Sequence, residues 1–376
     1  MSARPRWMTV VAWFTATRLT IFVLGVLGAG AFINHRCLPP QACVSPVSEG
    51  VRVLNPANVW NKWDVEFYER IAVHGYAHEL DTAKGQGAAA YLPLYPMAAR
   101  ALMAVAPGVP FFWIGTLLSN LATLAALILI ARALVDSDGE LHRVMALTLA
   151  SAGSFYLSIP YTEGLFLLLV AGSIIAARRG HYELAGLLAG LSATTRLHGF
   201  ALAAVPALAC WLDTRLTTST RWRRLILSGA LFMIPVGVYF AYNHQVLGAW
   251  DAFVSRQELW GNPDPYPLQA IAGFWQHPTR LTNWIHGGFW FLYAALLARH
   301  WRRIPLGEAV FCAGVLIITT QQEGFHGTYR YMTPLVPLTL AIARDRRSVV
   351  DGVLALNLIV GVLMIIAFVT WNRVVV

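Results

Sequence analysis

The run WMTVVAWFTATRLTIFVLGVLGAGAFI, residues 7–33, decides the fold. It is predominantly apolar over its whole length, and as a helix it is long enough to cross the roughly 30 Å hydrocarbon core of a bilayer. The basic start Met1-Ser2-Ala3-Arg4-Pro5-Arg6 resembles a signal sequence. The run is long and has no convincing cleavage site, so it reads as a retained first helix. Further apolar runs follow at about 111–135, 142–158, 161–178, 183–196, 199–212, 225–247, 284–299, 304–320, 331–343 and 348–371. Of the 376 residues 57% are hydrophobic and only 12% charged, and the mean hydropathy is +0.55. The chain is therefore expected to be an all-α polytopic membrane protein, residues 1–376 forming one unit of about 10–12 membrane segments. Several runs fall short of the roughly 20 residues of a straight crossing, and broken helices of that kind line cavities, where their backbone groups find partners.

The net charge is +9, carried by 26 Arg and 2 Lys. The arginines cluster in short loops between apolar runs: Arg4/Arg6, Arg132/Arg143, Arg178/Arg179, Arg215 to Arg224, Arg299 to Arg303 and Arg344 to Arg347. That is the positive-inside pattern of a membrane protein, and it argues against a nucleic-acid partner. It puts 34–90, 158–161, 195–199, 248–283 and 321–330 outside, with 34–90 and 248–283 the two large outer loops. The parity works if 91–107, broken by Pro93, Pro96 and Pro107, is a short or re-entrant segment. Cys37 and Cys43 share the first outer loop and can form a disulfide there, whereas Cys210 and Cys312 sit in apolar runs as core residues.

Within the first outer loop stands Trp60-Asn-Lys62-Trp63-Asp64-Val65-Glu66-Phe67-Tyr68-Glu69-Arg70. Val65, Phe67, Tyr68, Ile71 and Ala72 fall near helical spacing, which predicts an amphipathic helix on the membrane surface, with Trp60 and Trp63 in the interfacial belt. Four other polar features fall on the same predicted side: Tyr91 to Pro96, Ser158 to Glu163, Thr195 to Gly199, and His326 to Tyr331. Glu163, Arg196 and His198 are ionisable residues within apolar runs, where they are costly and mark sites. Arg196 breaks the positive-inside pattern. Its planar fork suits a phosphate; the competing role is an ion pair with Glu163. Arg330, with His326, is a second phosphate candidate, against a snorkelling arginine. Tyr91 and Tyr95 read as packing residues that can also line a substrate. His74 and His78 have an i, i+4 spacing, but no third ligand accompanies them, so no metal is assigned. Asp64 is the candidate base: a carboxylate that takes a proton from an attacking hydroxyl, while arginines meet a phosphate leaving group, suffices for an inverting sugar transfer. A loop-solvated acid is the alternative.

Taken in order, Trp63-Asp64 with Phe67 to Ala72 and Gly75-Tyr76, Leu92-Pro-Leu-Tyr-Pro96, Ser119-Asn-Leu121, Pro160-Tyr-Thr-Glu163, Thr195-Arg196 with Gly199, and His326-Gly327 with Tyr329-Arg-Tyr331 span about residues 10–345. This ordered set resembles the phosphatidylinositol-glycan class V mannosyltransferases and their bacterial relatives, among the class C glycosyltransferases. The resemblance implies a class C bundle whose first outer loop carries amphipathic helices and the catalytic acid, here Asp64. It also implies a polyprenyl-phosphate mannose donor and an inverting transfer to a lipid or glycan acceptor. Lys62, Tyr95, Glu163, Arg196, His198, His326, Tyr329 and Arg330 are the expected donor-phosphate and substrate residues. The chain departs from the pattern at Thr162-Glu163, in place of Ser-Glu, and at Arg196-Leu-His198-Gly199, in place of Arg-Ser-Asn-Gly. The second departure bears on the acceptor or on the local hydrogen bonding. The arginine- and alanine-rich composition resembles that of a high-GC bacterium, so a bacterial plasma membrane with the site facing outward is expected. Transfer of another sugar, such as glucose or arabinose, and transport or lipid flipping through Glu163 and Arg196 are the alternatives.

Overall fold

A computed structural model describes residues 5–32, 55–76, 87–256, 266–276, 281–321 and 324–375. The expectations placed on Cys37, Cys43 and His78 lie outside these residues. Every regular element described is helical. In chain order they are α1 (Arg6–Phe32), α2 (Pro56–Trp60), α3 (Val65–His74), α4 (Leu94–Val105), α5 (Phe111–Ala133), α6 (Asp138–Leu149), α7 (Glu163–Arg178), α8 (Tyr182–Ala193) and α9 (Ala204–Trp211). After these come α10 (Thr218–Leu247), α11 (Ala252–Ser255), α12 (Gln269–Gln276), α13 (Leu281–His300), α14 (Leu306–Ile318), α15 (Thr328–Tyr331), α16 (Val336–Ala343) and α17 (Arg347–Val369). Of these, α1, α5, α10 and α17 are long and apolar enough to cross a membrane. The proline-bounded α4 has 12 residues, about 18 Å of helix, too short to cross alone. Cys210 and Cys312 are buried and free.

Three apolar runs are broken, and the partners of the interrupted backbone explain why. The run at 142–158 stops as α6 at Leu149 and resumes as a 3-10 turn, Ser154–Leu157. In the gap, the Ala152 N–H donates to Asn357 Oδ1 at 3.0 Å, and Ser151 Oγ meets Thr333 Oγ1 at 2.9 Å. Side chains of distant elements thus replace the helical ladder. The run at 199–212 begins as a 3-10 stretch, Leu197–Ala203, and the run at 331–343 leaves the helix that ends at Tyr331 and resumes as helix at Val336. Elsewhere, small residues bring helices together: Cβ atoms at Gly186 and Gly190 in α8 would strike the α10 backbone at Ser228 and Phe232.

Ion pairs gather the arginine-rich loops at one end. Arg6 bonds Asp138 and the Asp136 carbonyl, Arg344 pairs with Asp136 and Glu140, and Arg178 grips Glu308 with two bonds of 2.6 and 2.7 Å. Arg178 closes α7, and Glu163 opens it. Glu163 therefore marks the opposite end of the bundle.

Two expectations about the first loop are corrected. The amphipathic helix exists as α3, but its apolar face is turned into the protein rather than toward lipid: Val65 and Ile71 are fully buried, and the Tyr68 ring packs on Tyr91, Tyr95 and Tyr161. Trp60 is 3% exposed, with the Phe155 and Phe368 rings 6.1 and 5.9 Å away, so it is core and not interfacial belt. Exposed tryptophans occur at other positions, Trp222, Trp250, Trp275 and Trp284 among them.

Gly153 sits where the broken α6 run crosses α15. A Cβ there would lie 2.5 Å from Arg330 Cα and 2.9 Å from Thr333 Oγ1. G153A is expected to cost about 1–3 kcal/mol by overpacking, read as a lower thermal midpoint in detergent. G139A, in a helix where a Cβ meets nothing within 4 Å, should not lower the midpoint and can raise it slightly through helix propensity.

Candidate functional site

Asp64 follows a residue in a rare conformation. Trp63 has φ of 60°, the left-handed region that costs a non-glycine residue about 1–2 kcal/mol. This turn sets Asp64 at the head of α3, where its side chain makes no cap to its own helix. The Asp64 N–H donates to the Tyr161 hydroxyl at 3.1 Å, and that hydroxyl donates to the Lys62 carbonyl at 3.2 Å. The carboxylate accepts from the Tyr91 hydroxyl (3.2 Å to Oδ1) and from Arg330 Nη1 (3.3 Å to Oδ2). Asp64 is thus held by three long-range contacts and is not a freely solvated loop acid.

The arginines arrive from two other breaks. Arg196 leaves α8 in extended conformation (φ −150°, ψ 144°), and Arg330 lies in α15 just after Gly327, whose φ of 63° suits glycine. Glu163, the first residue of α7, meets both: Arg196 Nη1 is 2.6 Å and Arg330 Nε 3.6 Å from its Oε1. The start of a helix favours a carboxylate through its unpaired N–H groups. The Arg196 contact is short but poorly aligned as a hydrogen bond, leaving Glu163 Oε1 an ionic partner; the directional bond of Arg196 goes to Thr162 Oγ1 at 2.7 Å. The structure pairs Arg196 with Glu163, the ionic role weighed from the sequence, and also sets it in the lining of a cavity.

That cavity measures about 360 Å³. Asp64, Arg196, His198 and Arg330 supply its polar wall; Leu92, Phe253 and Ile318 supply apolar surface. Such a combination fits a ligand with an anionic group and an apolar part. The His198 ring lies tilted against Tyr331, centroids 4.4 Å apart, and its Nε2, like Arg330 Nε, is buried with no hydrogen-bond partner. Both guanidiniums stand over the Tyr331 ring, at 5.0 and 5.1 Å.

Other expected site residues lie elsewhere. Tyr95 is fully buried, bonded to the Gly115 carbonyl (2.8 Å) and Ser119 Oγ (2.9 Å), and is a packing residue. Tyr329 lies beneath the site, 3.1 Å from the Tyr156 hydroxyl. Lys62 is buried with its ammonium 4.8 Å over the Trp371 ring, and burial pushes its pKa down to about 8. His326 is exposed at the turn before α15 and does not line the cavity. Glu66 pairs with Arg70 on the outer face of α3, away from Asp64's partners. The bonds of Tyr91 and Tyr161 to Asp64 had no local signal, since they span 27 and 97 residues. Arg18 in α1 also went unremarked: it holds the Ser154 carbonyl and the Ser158 hydroxyl from behind the site. Among the described residues, no three His, Cys, Asp or Glu side chains gather as a metal site.

E163Q leaves the buried Arg196 and the half-buried Arg330 guanidinium without their shared counter-charge. It is expected to destabilise by about 3–5 kcal/mol, read as a lower unfolding midpoint in detergent. E66Q, at a carboxylate 72% exposed, should change it by less than about 1 kcal/mol.

No family model matches the chain, and neither does any curated protein or solved structure.

Proposed function

We propose that the chain is an inverting, polyprenyl-phosphate-dependent mannosyltransferase, its class C-like bundle of about 10–12 segments completed by short helices crossing in pairs. The observation that carries this is the convergence of one solvent-reachable carboxylate, Asp64, with Arg196 and Arg330 on a single cavity. In the proposed step, Asp64 takes the proton of an acceptor hydroxyl as its oxygen attacks the anomeric carbon from the side opposite the phosphate. The bond from that carbon to the phosphate oxygen breaks, inverting the centre. Arg330 and Arg196 take up the charge appearing on the polyprenyl phosphate, fixed donors in a partly enclosed site. One acid is enough because phosphate leaves without protonation, whereas a retaining or hydrolytic enzyme needs a second carboxyl as nucleophile or acid.

The apolar wall of Leu92, Phe253 and Ile318 gives the first isoprene units a place beside the phosphate. The arginine-rich end, opposite Glu163, is read as cytoplasmic by the positive-inside rule, which turns the cavity outward from a bacterial plasma membrane. The acceptor is a lipid or glycan on that side. His198, neighbour of Arg196, is placed to contact whichever substrate group lies against Tyr331.

The test is incubation of the purified protein with polyprenyl-phosphate mannose and a membrane lipid and glycan extract, followed by mass spectrometry for species that gain a hexose. D64N keeps the shape and removes the basicity, so it should lower transfer by about 10²-fold or more. Undiminished transfer by D64N would overturn the assignment of the base. No transfer from this donor, with transfer from another polyprenyl-linked sugar, would move the sugar and leave the mechanism standing.

A further inference from the structure

Beyond the cavity, the segment that follows the last span makes an unusual return into the protein. After α17, Trp371 takes φ of 58°, left-handed like Trp63. The Asn372 N–H closes back on the Ala367 carbonyl at 2.8 Å, and Asn372 Oδ1 accepts from the Val374 N–H at 3.0 Å. The chain thereby turns inward, and Val375 is 2% exposed.

This return reaches both halves of the Asp64–Arg330 pair. On the acid's side, the Trp371 ring lies 5.0 Å from the Trp63 ring and under the Lys62 ammonium, so it touches both residues that precede Asp64. Trp63 Nε1 also donates to the Phe368 carbonyl at 3.3 Å. On the arginine's side, the Tyr329 hydroxyl donates to the Val375 carbonyl at 3.2 Å, and the Val374 carbonyl lies 2.8 Å from His286 Nε2. Tyr329 is the residue before Arg330. One short segment thus bridges the turn that presents the acid and the helix that presents the arginine.

Two tryptophans in left-handed conformation each cost about 1–2 kcal/mol and persist only where their surroundings over-determine them. Packed against each other, they form a clasp at the base of the Asp64 turn. We propose that Trp371 is a positioning residue for Asp64, and that residues 371–375 are a strap fixing the separation of Asp64 from Arg330. The strap touches neither the cavity nor a substrate. Its catalytic consequence rests on the transfer reaction proposed above; its structural consequence does not.

The test therefore has two arms on the whole 376-residue chain. In the first, D64C is modified with a maleimide and followed by peptide mass spectrometry, with Trp371 intact or as W371A. Loosening the clasp should speed modification at residue 64 by about 5-fold or more through local opening, while W371F, which keeps a stacked ring, should stay within about 2-fold. Unchanged modification in W371A overturns the strap, whether or not any sugar transfer is detected. If W371A is not recovered folded, W371L, which keeps apolar volume without a ring, is scored in the same way. In the second arm, W371A with native Asp64 should lose about 10- to 100-fold in kcat with little change in donor KM, and W371F should recover most of it. Unchanged kcat in W371A also overturns the positioning role. Absence of transfer by the unmodified protein counts against the proposed reaction and leaves the first arm to decide.

Discussion

The site depends on one buried carboxylate holding two guanidiniums. Glu163 is 1% exposed, and charges so far from water persist only when paired. Arg196 comes from the end of α8 and Arg330 from α15, so their shared counter-charge ties three distant parts of the chain to the first turn of α7. Around that pair the helices are short or broken, and the backbone groups they release find partners in side chains such as Asn357, Tyr161 and Thr123. The irregular backbone and the buried charges therefore occur together, as membrane-embedded cavities require.

Aromatic rings form the second layer. Tyr68 touches Tyr91, Tyr95 and Tyr161 at 5.4 to 5.9 Å, and these rings separate the charges from the rest of the core. Their hydroxyls are not idle: Tyr91 and Tyr161 fix the carboxylate and the N–H of Asp64. A tyrosine shell thus does two jobs with one side chain, filling volume and orienting the acid.

Much of this was legible in the sequence. Unbroken apolar runs carry their own signal, and the arginine clusters that share loops in the sequence share one end of the bundle. Arg196 stood out because it broke the charge pattern, and it does face the cavity. The failures have a common cause. Trp60 reads equally well in a lipid interface or a protein core, because the sequence gives its chemistry and not its neighbours. The face of α3 has the same ambiguity: amphipathic spacing shows that a face is buried, and not what buries it. The left-handed positions at Trp63 and Trp371 are occupied by neither glycine nor asparagine, so the residue type there does not announce the turn. Tyr329, expected among the substrate residues, is fully buried and links the return segment to the core.

Charge accounting gives the proposed reaction its physical logic. In the resting site, Asp64 and Glu163 cancel Arg196 and Arg330. A polyprenyl phosphosugar is a phosphodiester and brings a single negative charge; the departing phosphate monoester carries close to two. When Asp64 accepts the acceptor's proton it loses its own charge, so the site becomes more positive by one just as the ligand becomes more negative by one. Arg330 is the hinge of this exchange, because it contacts Asp64 at 3.3 Å, keeps Glu163 3.6 Å from its Nε as a second counter-charge, and lines the cavity. Its guanidinium can lose the carboxylate as a charged partner and gain the phosphate with little movement, and that economy needs the acid and the arginine to be held at a fixed separation, which is the office of the clasp at Trp63 and Trp371.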